Sequence, residues 1–544
     1  MRAAVWRACR SHPAQRVPLI ALLALTAVFA ALGLRLIYVG AADLGIVGLF
    51  STDEKLAGQL IRTMVRDDNL GLSHFFSYGP IDLYAARALL LPYGLFRPVS
   101  DEAIVVALRL VSLASGIGCL FVTYILGRRI WDVWSAAIGT AIVLASATFL
   151  AWSTTAHPDM QQLLWLLLGL WVATSLAGRS STHQAGTTTL AAIGAVYAGL
   201  AFATKYAGEL LLPMLWVSVA IGRRRTASEG LPRGWPSPLG PLALDIGVTT
   251  GVFLAVFFAV DPSAIREWRS FLYQMTLEAG LAHGGHLLQS SSDPGGWLRL
   301  LAGGDVLGPI GLIVALASLA VWTLLDLRSL LRLQARGDEA KRLPLEMFTA
   351  GYLVFLLIWI GDLQSRYALP VMPGLGLMAG AGITWLAGRS RVWTLPALAV
   401  LLLALLPLGS RTLAYEQVQA NRMHSPGVHD RIDAGRWLAA RMPADAPILA
   451  DAYSYVPPAF TNVEESFGLT RARIQSGSPR IIITDSSIRN RFLDPALASG
   501  YVDGAAAYRE IAATYQALES GSIACYAPLQ RFGPVGIYGR VTGC

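Results

Sequence analysis

Long apolar runs separated by short polar turns fill the chain from about residue 17 to about residue 410. Several of these runs reach about 20 residues, which is the length that an α-helix needs to cross the hydrocarbon core of a bilayer. Backbone polar groups in that core must be satisfied within the protein, so helices are expected. The runs predict eleven membrane spans, at 17–40, 103–127, 133–151, 160–177, 187–203, 206–222, 242–260, 305–327, 345–361, 368–388 and 392–410.

The segment 43–100, between the first two spans, is semi-polar. It contains the adjacent carboxylates Asp53 and Glu54, and then Tyr78-Gly79-Pro80, where glycine and proline break a helix. Because tyrosine suits a membrane–water interface, the segment predicts external helices that lie along the membrane surface.

The pattern changes after residue 410, where polar residues return and no further membrane-length run occurs. The tail predicts an amphipathic helix at 433–442 and short apolar strands at 447–450, 480–484, 523–527 and 535–538. We therefore expect an all-α polytopic membrane domain of about eleven helices over residues 1–410. A soluble α/β domain is expected over residues 411–544.

Composition and charge agree with this division. Of the 544 residues, 54% are hydrophobic and 14% are charged, whereas a soluble domain carries about a quarter charged residues. The net charge of +8 comes mainly from arginines that cluster beside the apolar spans. Positive-inside topology explains these clusters more simply than nucleic-acid binding does. A cytoplasmic N-terminus then places the tail outside, as expected for a multi-pass protein of a bacterial inner membrane.

The same topology separates the four cysteines. Cys9 falls in the cytoplasm and Cys119 within the membrane, while Cys525 and Cys544 share the external tail. An oxidising compartment favours a disulfide between the last two, and two free thiols are the alternative.

Four external turns carry the unusual polar residues. Two carboxylate clusters and two cations on one membrane face suit a phosphorylated lipid headgroup and a hydroxyl acceptor. A sugar on a lipid phosphate has a good leaving group, so cations would stabilise the phosphate while a carboxylate takes the acceptor's proton. One direct displacement would invert the anomeric carbon. These turns hold Asp53 with Glu54, His157-Pro158-Asp159, Lys205, and Arg366 with Tyr367.

The two acidic turns also have structural interpretations. Ser51 followed three residues later by Glu54 matches the capping box that begins a helix. Pro158 suits the first turn of a helix, and Asp159 suits its positive end.

The two cationic turns have structural alternatives as well. Lys205 could pair with Glu209 one helical turn later, and Arg366 with Tyr367 could be an interfacial anchor. The position of all four turns on one side favours the functional interpretation.

A metal site is a further candidate. His283 and His286 lie in the external loop 261–304, and Asp53 or Asp159 could add oxygen ligands. The glycines between the two histidines favour simple loop flexibility instead. We predict no cofactor, and a divalent metal stays an open alternative.

These motifs resemble the polytopic GT-C glycosyltransferases, specifically family 39. That family comprises protein O-mannosyltransferases and the aminoarabinose transferases that modify lipid A. The resemblance spans nearly the whole chain and depends on the order and sidedness of the motifs. They are Ser51-Thr52-Asp53-Glu54, Tyr78-Gly79-Pro80-Ile81-Asp82-Leu83-Tyr84, Gly199-Leu200-Ala201-Phe202-Ala203-Thr204-Lys205-Tyr206, Arg366-Tyr367-Ala368-Leu369-Pro370-Val371-Met372-Pro373, Ala434-Gly435-Arg436-Trp437-Leu438 and Met442-Pro443-Ala444-Asp445-Ala446-Pro447.

The resemblance implies three acidic site residues. Asp53 would be the catalytic base, Glu54 would orient it or the acceptor, and Asp159 would be the second acidic position. Related proteins often have arginine where this chain has His157, so the donor contact of His157 is open.

The resemblance also implies the substrates. Lys205 and Arg366, together with Tyr367, would bind the phosphate of a polyprenyl-phosphate sugar. The acceptor would be a lipid, a glycan or a protein, and no nucleic-acid partner is implied. Further donor or acceptor contacts would come from Tyr78, Asp82, Tyr84, His157 and His286.

Two other functional classes compete with this interpretation. A transporter or flippase of a lipid-linked sugar would bind near the middle of the membrane, often with charged residues there. In this chain the informative charges stand at external helix ends, with Arg109 as the main exception. A non-catalytic assembly protein would leave Asp53, Lys205 and Arg366 without a shared purpose.

Overall fold

The computed structural model describes residues 13–68, 76–178, 184–228, 239–284, 294–331, 337–500 and 504–541. Each of the eleven predicted spans coincides with a helix or, for the third span, with a pair of helices. The helices are α1 (Pro13–Leu36), α2 (Leu44–Gly48), α3 (Thr52–Arg66), α4 (Ile81–Gly94), α5 (Asp101–Ile130), α6 (Val133–Leu144), α7 (Ala147–Ser153), α8 (Asp159–Ala177), α9 (Gln184–Thr204), α10 (Leu211–Ser228), α11 (Leu239–Val260), α12 (Ser263–Arg266), α13 (Trp268–Gly284), α14 (Pro294–Leu301), α15 (Gly308–Leu331), α16 (Gly337–Ile358), α17 (Met372–Arg389), α18 (Arg391–Ala420), α19 (Pro426–Arg441), α20 (Arg471–Gly477), α21 (Ser486–Leu493) and α22 (Gly504–Glu519).

The helical bundle is that of a multi-pass membrane protein. Within the described residues, seven helices are long and apolar enough to cross a membrane, or eight if the bent pair α6 and α7 counts as one span. Among the remaining predicted spans, α17 is buried along most of its length, and its glycines allow close packing. A Cβ at Gly139 on α6 would lie 2.7 Å from the backbone oxygen of Gly376 on α17. Small residues let membrane helices approach this closely.

The third span bends by 70° between α6 and α7. Ser146 stands at the bend, caps α7 through the backbone N–H of Phe149, and donates its hydroxyl to the carbonyl oxygen of Asp305 at 2.7 Å. The bend directs Trp152 and the following turn, which carries His157, towards the end of the bundle where the other polar turns lie.

Short helices fill the segment between the first two spans, as predicted. α2, α3 and α4 lie there, and Ile61, Met64, Leu83 and Leu90 bury their side chains against α5. The apolar face of α3 thus fixes the helix whose first turn carries Asp53.

The tail forms the predicted C-terminal α/β domain. Its five-stranded sheet has the order β2-β1-β3-β5-β4, in which β1 runs parallel to β2 and β3, while β5 runs antiparallel to β3 and β4. The sequence predicts four of these strands, and the structure adds β2, whose exposed Glu464 and Glu465 hide the apolar pattern of a strand. The strands are β1 (Ile448–Asp451), β2 (Val463–Ser466), β3 (Ile481–Asp485), β4 (Tyr526–Phe532) and β5 (Val535–Arg540).

The tail domain packs beside the first turn of α3. Lys55 forms an ion pair with Glu465 on β2, and the hydroxyl of Tyr455 donates to Asp43 at 3.3 Å. The predicted boundary at residue 410 falls inside α18, which continues to Ala420 before the tail domain begins.

Candidate active site

Half of a capping box begins α3. The hydroxyl of Ser51 accepts the backbone N–H of Glu54 at 3.2 Å, which confirms the capping interpretation of Ser51. The carboxylate of Glu54 does not complete the box, because it turns into the bundle. Asp53, directly before Glu54 in the same turn, has a side chain that is 40% exposed.

Glu54 and Arg109 form a buried ion pair. Arg109 donates Nε to Oε1 at 2.9 Å and Nη2 to Oε2 at 2.8 Å, and the two side chains are 1% and 3% exposed. Nη1 of Arg109 also donates to the carbonyl oxygens of Ile37 and Val39 at 3.0 and 2.8 Å. Burial would raise the pKa of Glu54, but Arg109 outweighs burial and holds that pKa below its usual value. Glu54 therefore stays ionised and is enclosed away from any acceptor.

Three side chains surround the Asp53 carboxylate. The hydroxyl of Tyr78 donates to Oδ2 at 3.2 Å, Nη1 of Arg366 donates to Oδ2 at 3.3 Å, and Nε2 of His157 lies 3.5 Å away. Burial, with the Asp53 charge beside it, raises the pKa of Tyr78 well above its usual value. Tyr78 is therefore a hydrogen-bond donor to Asp53 at neutral pH.

A chain of ionisable groups leads away from Asp53. His157 contacts Nη1 of Arg366 through Nε2 at 3.0 Å and contacts Asp159 through Nδ1. Asp159, the first residue of α8, forms an ion pair with Nζ of Lys205. Lys205 therefore pairs with Asp159 and not with Glu209, as its structural alternative supposed.

Arg366 is buried against aromatic side chains. Its guanidinium lies over the rings of Trp152 and Tyr367, at 5.9 and 5.3 Å from their centroids. The buried Nε of Arg366 has no acceptor among the described residues. Nζ of Lys205 also lies over the Tyr367 ring, 5.2 Å from its centroid. Tyr367 thus contacts both cations, and burial raises its own pKa to about 12.

Gly79 brings the Tyr78 turn against the end of α9. Its N–H donates to the carbonyl oxygen of Thr204 at 3.1 Å, and a Cβ there would lie 1.7 Å from the carbonyl oxygen of Ala203. No other residue type fits this approach, which places Tyr78 beside Lys205.

A cavity of about 350 Å³ opens next to these cations. Sites for small molecules usually occupy about 300–1,000 Å³. Cations and other polar groups line the cavity, together with aromatic rings on α16 and directly after it. The lining includes Ser77, Tyr78, Asp159, Gln162, Lys205, Glu209, Glu278, Tyr352, Phe355, Trp359, Arg366 and Tyr367.

The structure brings most of the predicted residues together. Asp53, Tyr78, His157, Asp159, Lys205, Arg366 and Tyr367 converge as described above, and Asp82 lines a smaller cavity beside Asp53. Tyr84 does not join them, because the helical turn of α4 carries it into the apolar cluster with Ile61 and Ala86.

The candidate metal ligands that the structure describes do not form a metal-binding group. His283 contacts the carbonyl oxygen of Trp359 through Nδ1 at 2.8 Å, and His286 lies outside the described residues. Within the described part of the chain, no group of three His, Cys, Asp or Glu side chains is placed to hold a metal ion.

Several site residues escaped the sequence interpretation. Tyr352 and Trp359 lie inside the predicted span 345–361. Trp152 directly follows the predicted span 133–151, and Glu278 belongs to the loop 261–304, where no recognisable motif marks it. The buried pairing of Arg109 could have been predicted from the sequence, because a charge within an apolar span needs a partner.

The structure describes one of the two cysteines in the predicted disulfide. Cys525 is disulfide-bonded, whereas its predicted partner Cys544 lies outside the described residues. Cys119 is a buried free thiol.

Comparisons with known proteins show the fold. No protein-family model and no curated protein sequence matches the chain. The structure is similar to that of ArnT from Cupriavidus metallidurans bound to undecaprenyl phosphate, with a TM-score of 0.55 and 14% identity over 96% of this chain and 98% of that chain. It is also similar to the archaeal oligosaccharyltransferase AglB from Archaeoglobus fulgidus in complex with an inhibitory peptide and a dolichol-phosphate. That comparison has a TM-score of 0.57 and 12% identity over 96% of this chain and 74% of that chain. The chain therefore shares the fold of these two proteins, in agreement with the fold class that its motifs predict.

Proposed function

We propose that this protein is a membrane glycosyltransferase. It moves a sugar from a polyprenyl phosphate to the hydroxyl of an acceptor, with Asp53 as the base. The observation that carries the proposal is the half-exposed Asp53 carboxylate beside a cavity lined by the buried cation Arg366 and the partly buried cation Lys205. ArnT and AglB, which share the fold, have been observed with undecaprenyl phosphate and a dolichol-phosphate respectively. Both ligands are polyprenyl phosphates.

The cations provide the donor site. Arg366 offers its Nε to a phosphate oxygen, and Lys205 lies on the same side of the cavity. Charge-assisted donors of this kind stabilise a leaving phosphate. Asp159 pairs with Lys205 and so keeps this cation in place. The aromatic rings of Tyr352, Phe355 and Trp359 would contact the apolar chain of the lipid.

The reaction is a single displacement. The acceptor oxygen attacks the anomeric carbon, the bond from that carbon to the phosphate oxygen breaks, and Asp53 takes the acceptor's proton. The electron pair of the broken bond leaves on the lipid phosphate, next to Arg366 and Lys205. Because the acceptor enters opposite to the leaving phosphate, the anomeric configuration inverts.

The proposal also sets a topology. The N-terminus would be cytoplasmic, and the site and the domain 411–544 would lie outside the inner membrane of a bacterium. The acceptor would be a lipid, a glycan or a protein. Impermeant thiol labelling of single cysteines introduced at exposed Arg436 and at exposed Arg389, which follows the predicted span 368–388, tests this topology, since only the tail position should react from outside.

Transfer by purified protein in liposomes tests the reaction. With a radiolabelled polyprenyl-phosphate sugar and a panel of acceptors, Asp53→Asn should lower transfer by about 10²–10⁴-fold, the usual contribution of a general base. Asp67→Asn is the matched control, because Asp67 stands exposed at the other end of α3 and should leave transfer unchanged.

Other outcomes identify the rival functions. If the liposomes translocate the lipid-linked sugar and Asp53→Asn does not alter the rate, the protein is a carrier. If neither transfer nor translocation responds to Asp53→Asn, the proposed role of Asp53 is wrong.

A further inference from the structure

Asp82 is a buried carboxyl that the proposed displacement does not use. It lies in the first turn of α4, is 7% exposed, and its Oδ1 has no hydrogen-bond partner among the described residues. A buried polar atom without a partner costs free energy, so it needs a structural or functional explanation.

A small cavity joins Asp82 to Asp53. Its volume is about 10 Å³, close to the space that the centre of one water molecule occupies. Both carboxyl groups line it, together with Tyr78, His157 and apolar side chains of α3. A water there could bond to Asp53 and to Oδ1 of Asp82.

The surroundings of Asp82 favour its protonated form. Burial raises the pKa of Asp82 to about 7, and Asp159 adds to the effect, while His157 opposes it. Asp53 faces the same cavity from α3, and His157 is the only basic side chain among the described residues that line it. Asp82 can therefore take up a proton near neutral pH.

We propose that Asp82 receives the acceptor's proton from Asp53 through a single water in this cavity. The carboxyl group of Asp53 donates its proton to the water, and the water donates one of its protons to the Asp82 carboxylate. The water is regenerated, Asp53 is again a carboxylate, and Asp82 later releases the proton to solvent. Asp82 thus acts through Asp53 and does not contact the substrate. The inference rests on the proposed function, because it begins with proton transfer to Asp53.

The pH dependence of kcat tests the relay. Asp82 must be ionised to accept a proton, so kcat of the wild type should rise with pH around a midpoint near 7. Asp82→Asn should lower kcat about tenfold or more, remove that rise, and leave the KM for the donor unchanged. Asp101→Asn is the matched control, since Asp101 also stands in the first turn of a helix but pairs with Arg62 on the surface.

A kcat profile that shows no rise near pH 7 in the wild type would overturn the relay. A rise that survives in Asp82→Asn would overturn it as well. Loss of transfer in Asp53→Asn with an unchanged Asp82→Asn profile would leave the proposed function standing and the relay refuted.

Infrared spectroscopy gives a second test that needs no turnover and applies even if Asp82→Asn folds poorly. The wild type should show a protonated-carboxyl C=O band that titrates near pH 7. Coupling through the shared water predicts that Asp53→Asn shifts the midpoint of this band. A wild-type spectrum without such a band, or a midpoint that Asp53→Asn does not move, would overturn the proposal.

Discussion

Arginine and lysine occupy different positions in the proposed donor site. Arg366 has a planar guanidinium between two aromatic rings, with Nη1 directed at Asp53 and His157 and Nε free of described acceptors. Lysine in its place would keep the positive charge but lose the second, fixed donor. The geometry of this side chain, and not only its charge, should therefore decide how a phosphate binds.

Arg366→Lys tests this difference. We expect transfer to fall by about 10²–10³-fold, as when one preorganised donor to a developing negative charge is removed. Part of the loss should appear as a higher KM for the polyprenyl-phosphate sugar. The measurement is a titration with donor at saturating acceptor.

Arg62→Lys serves as the control for that variant. Arg62 pairs with Asp101 on the surface, where single ion pairs contribute little, so transfer should stay at the wild-type level. Equal activity of Arg366→Lys and the wild type would show that a point charge is sufficient.

At the scale of residues, the sequence predicts which residue types form the site and on which side of the membrane they lie, but not how their side chains are oriented. Asp53, Lys205 and Arg366 could be placed on one face because membrane topology sorts turns by side. Asp82 and Tyr84 stand two residues apart, yet one lines a cavity with Asp53 and the other joins an apolar cluster. Which of them turns inward depends on how α4 packs, and packing leaves no short-range pattern in the chain.

Helix α3 owes its position to the buried pair of Glu54 and Arg109. Glu54 also accepts the backbone N–H of Ala156 at 2.5 Å, so the pair joins α3, α5 and the turn that carries His157. The neighbouring Asp53 is thereby held towards the cavity. The sequence predicts that both adjacent carboxylates belong to the site, whereas in the structure Asp53 is partly exposed and Glu54 is buried in the bundle.

Arg109→Met should destabilise the bundle. Removing one partner of a buried ion pair leaves an uncompensated charge, which costs about 3–5 kcal/mol. Thermal unfolding in detergent should show a lower midpoint than in the wild type, and transfer should fall because Asp53 is displaced.

The double variant Glu54→Leu, Arg109→Met separates stability from activity. Apolar side chains of similar volume can replace a buried pair at little cost, so part of the thermal stability should return. Transfer should stay low, because Glu54→Leu also removes the contact with the backbone N–H of Ala156. An unfolding midpoint of Arg109→Met equal to that of the wild type would contradict this role of the pair.

At the scale of elements, predictability follows the strength of the local pattern. All eleven apolar runs give helices, because lipid leaves the backbone no alternative. The bend between α6 and α7 depends on a hydrogen bond from Ser146 to Asp305, which stand 159 residues apart. Strand β2 depends on pairing with β1, since two of its four side chains are exposed glutamates.

At the scale of the whole molecule, the α/β domain of the tail lies next to the site. Tyr455 lies between Gly45 on α2 and Gly435 on α19, where added Cβ atoms would stand 3.0 and 2.4 Å from its ring. Lys55, two residues after Asp53, forms an ion pair with Glu465 on β2. An acceptor that approaches Asp53 from the side of the tail would therefore pass along this contact.

Reversing charges across this contact tests whether the docked tail supports transfer. Lys55→Glu would place two carboxylates against each other, so the tail should loosen, and transfer should fall about threefold to tenfold, the effect of about 1 kcal/mol. Glu465→Lys alone should act similarly, because it opposes Lys55. The double variant Lys55→Glu, Glu465→Lys restores opposite charges and should recover transfer and resistance to proteolysis between α18 and α19. Recovery in the double variant distinguishes docking from a direct effect of Lys55 on Asp53, because such an effect would persist when Glu465 also changes.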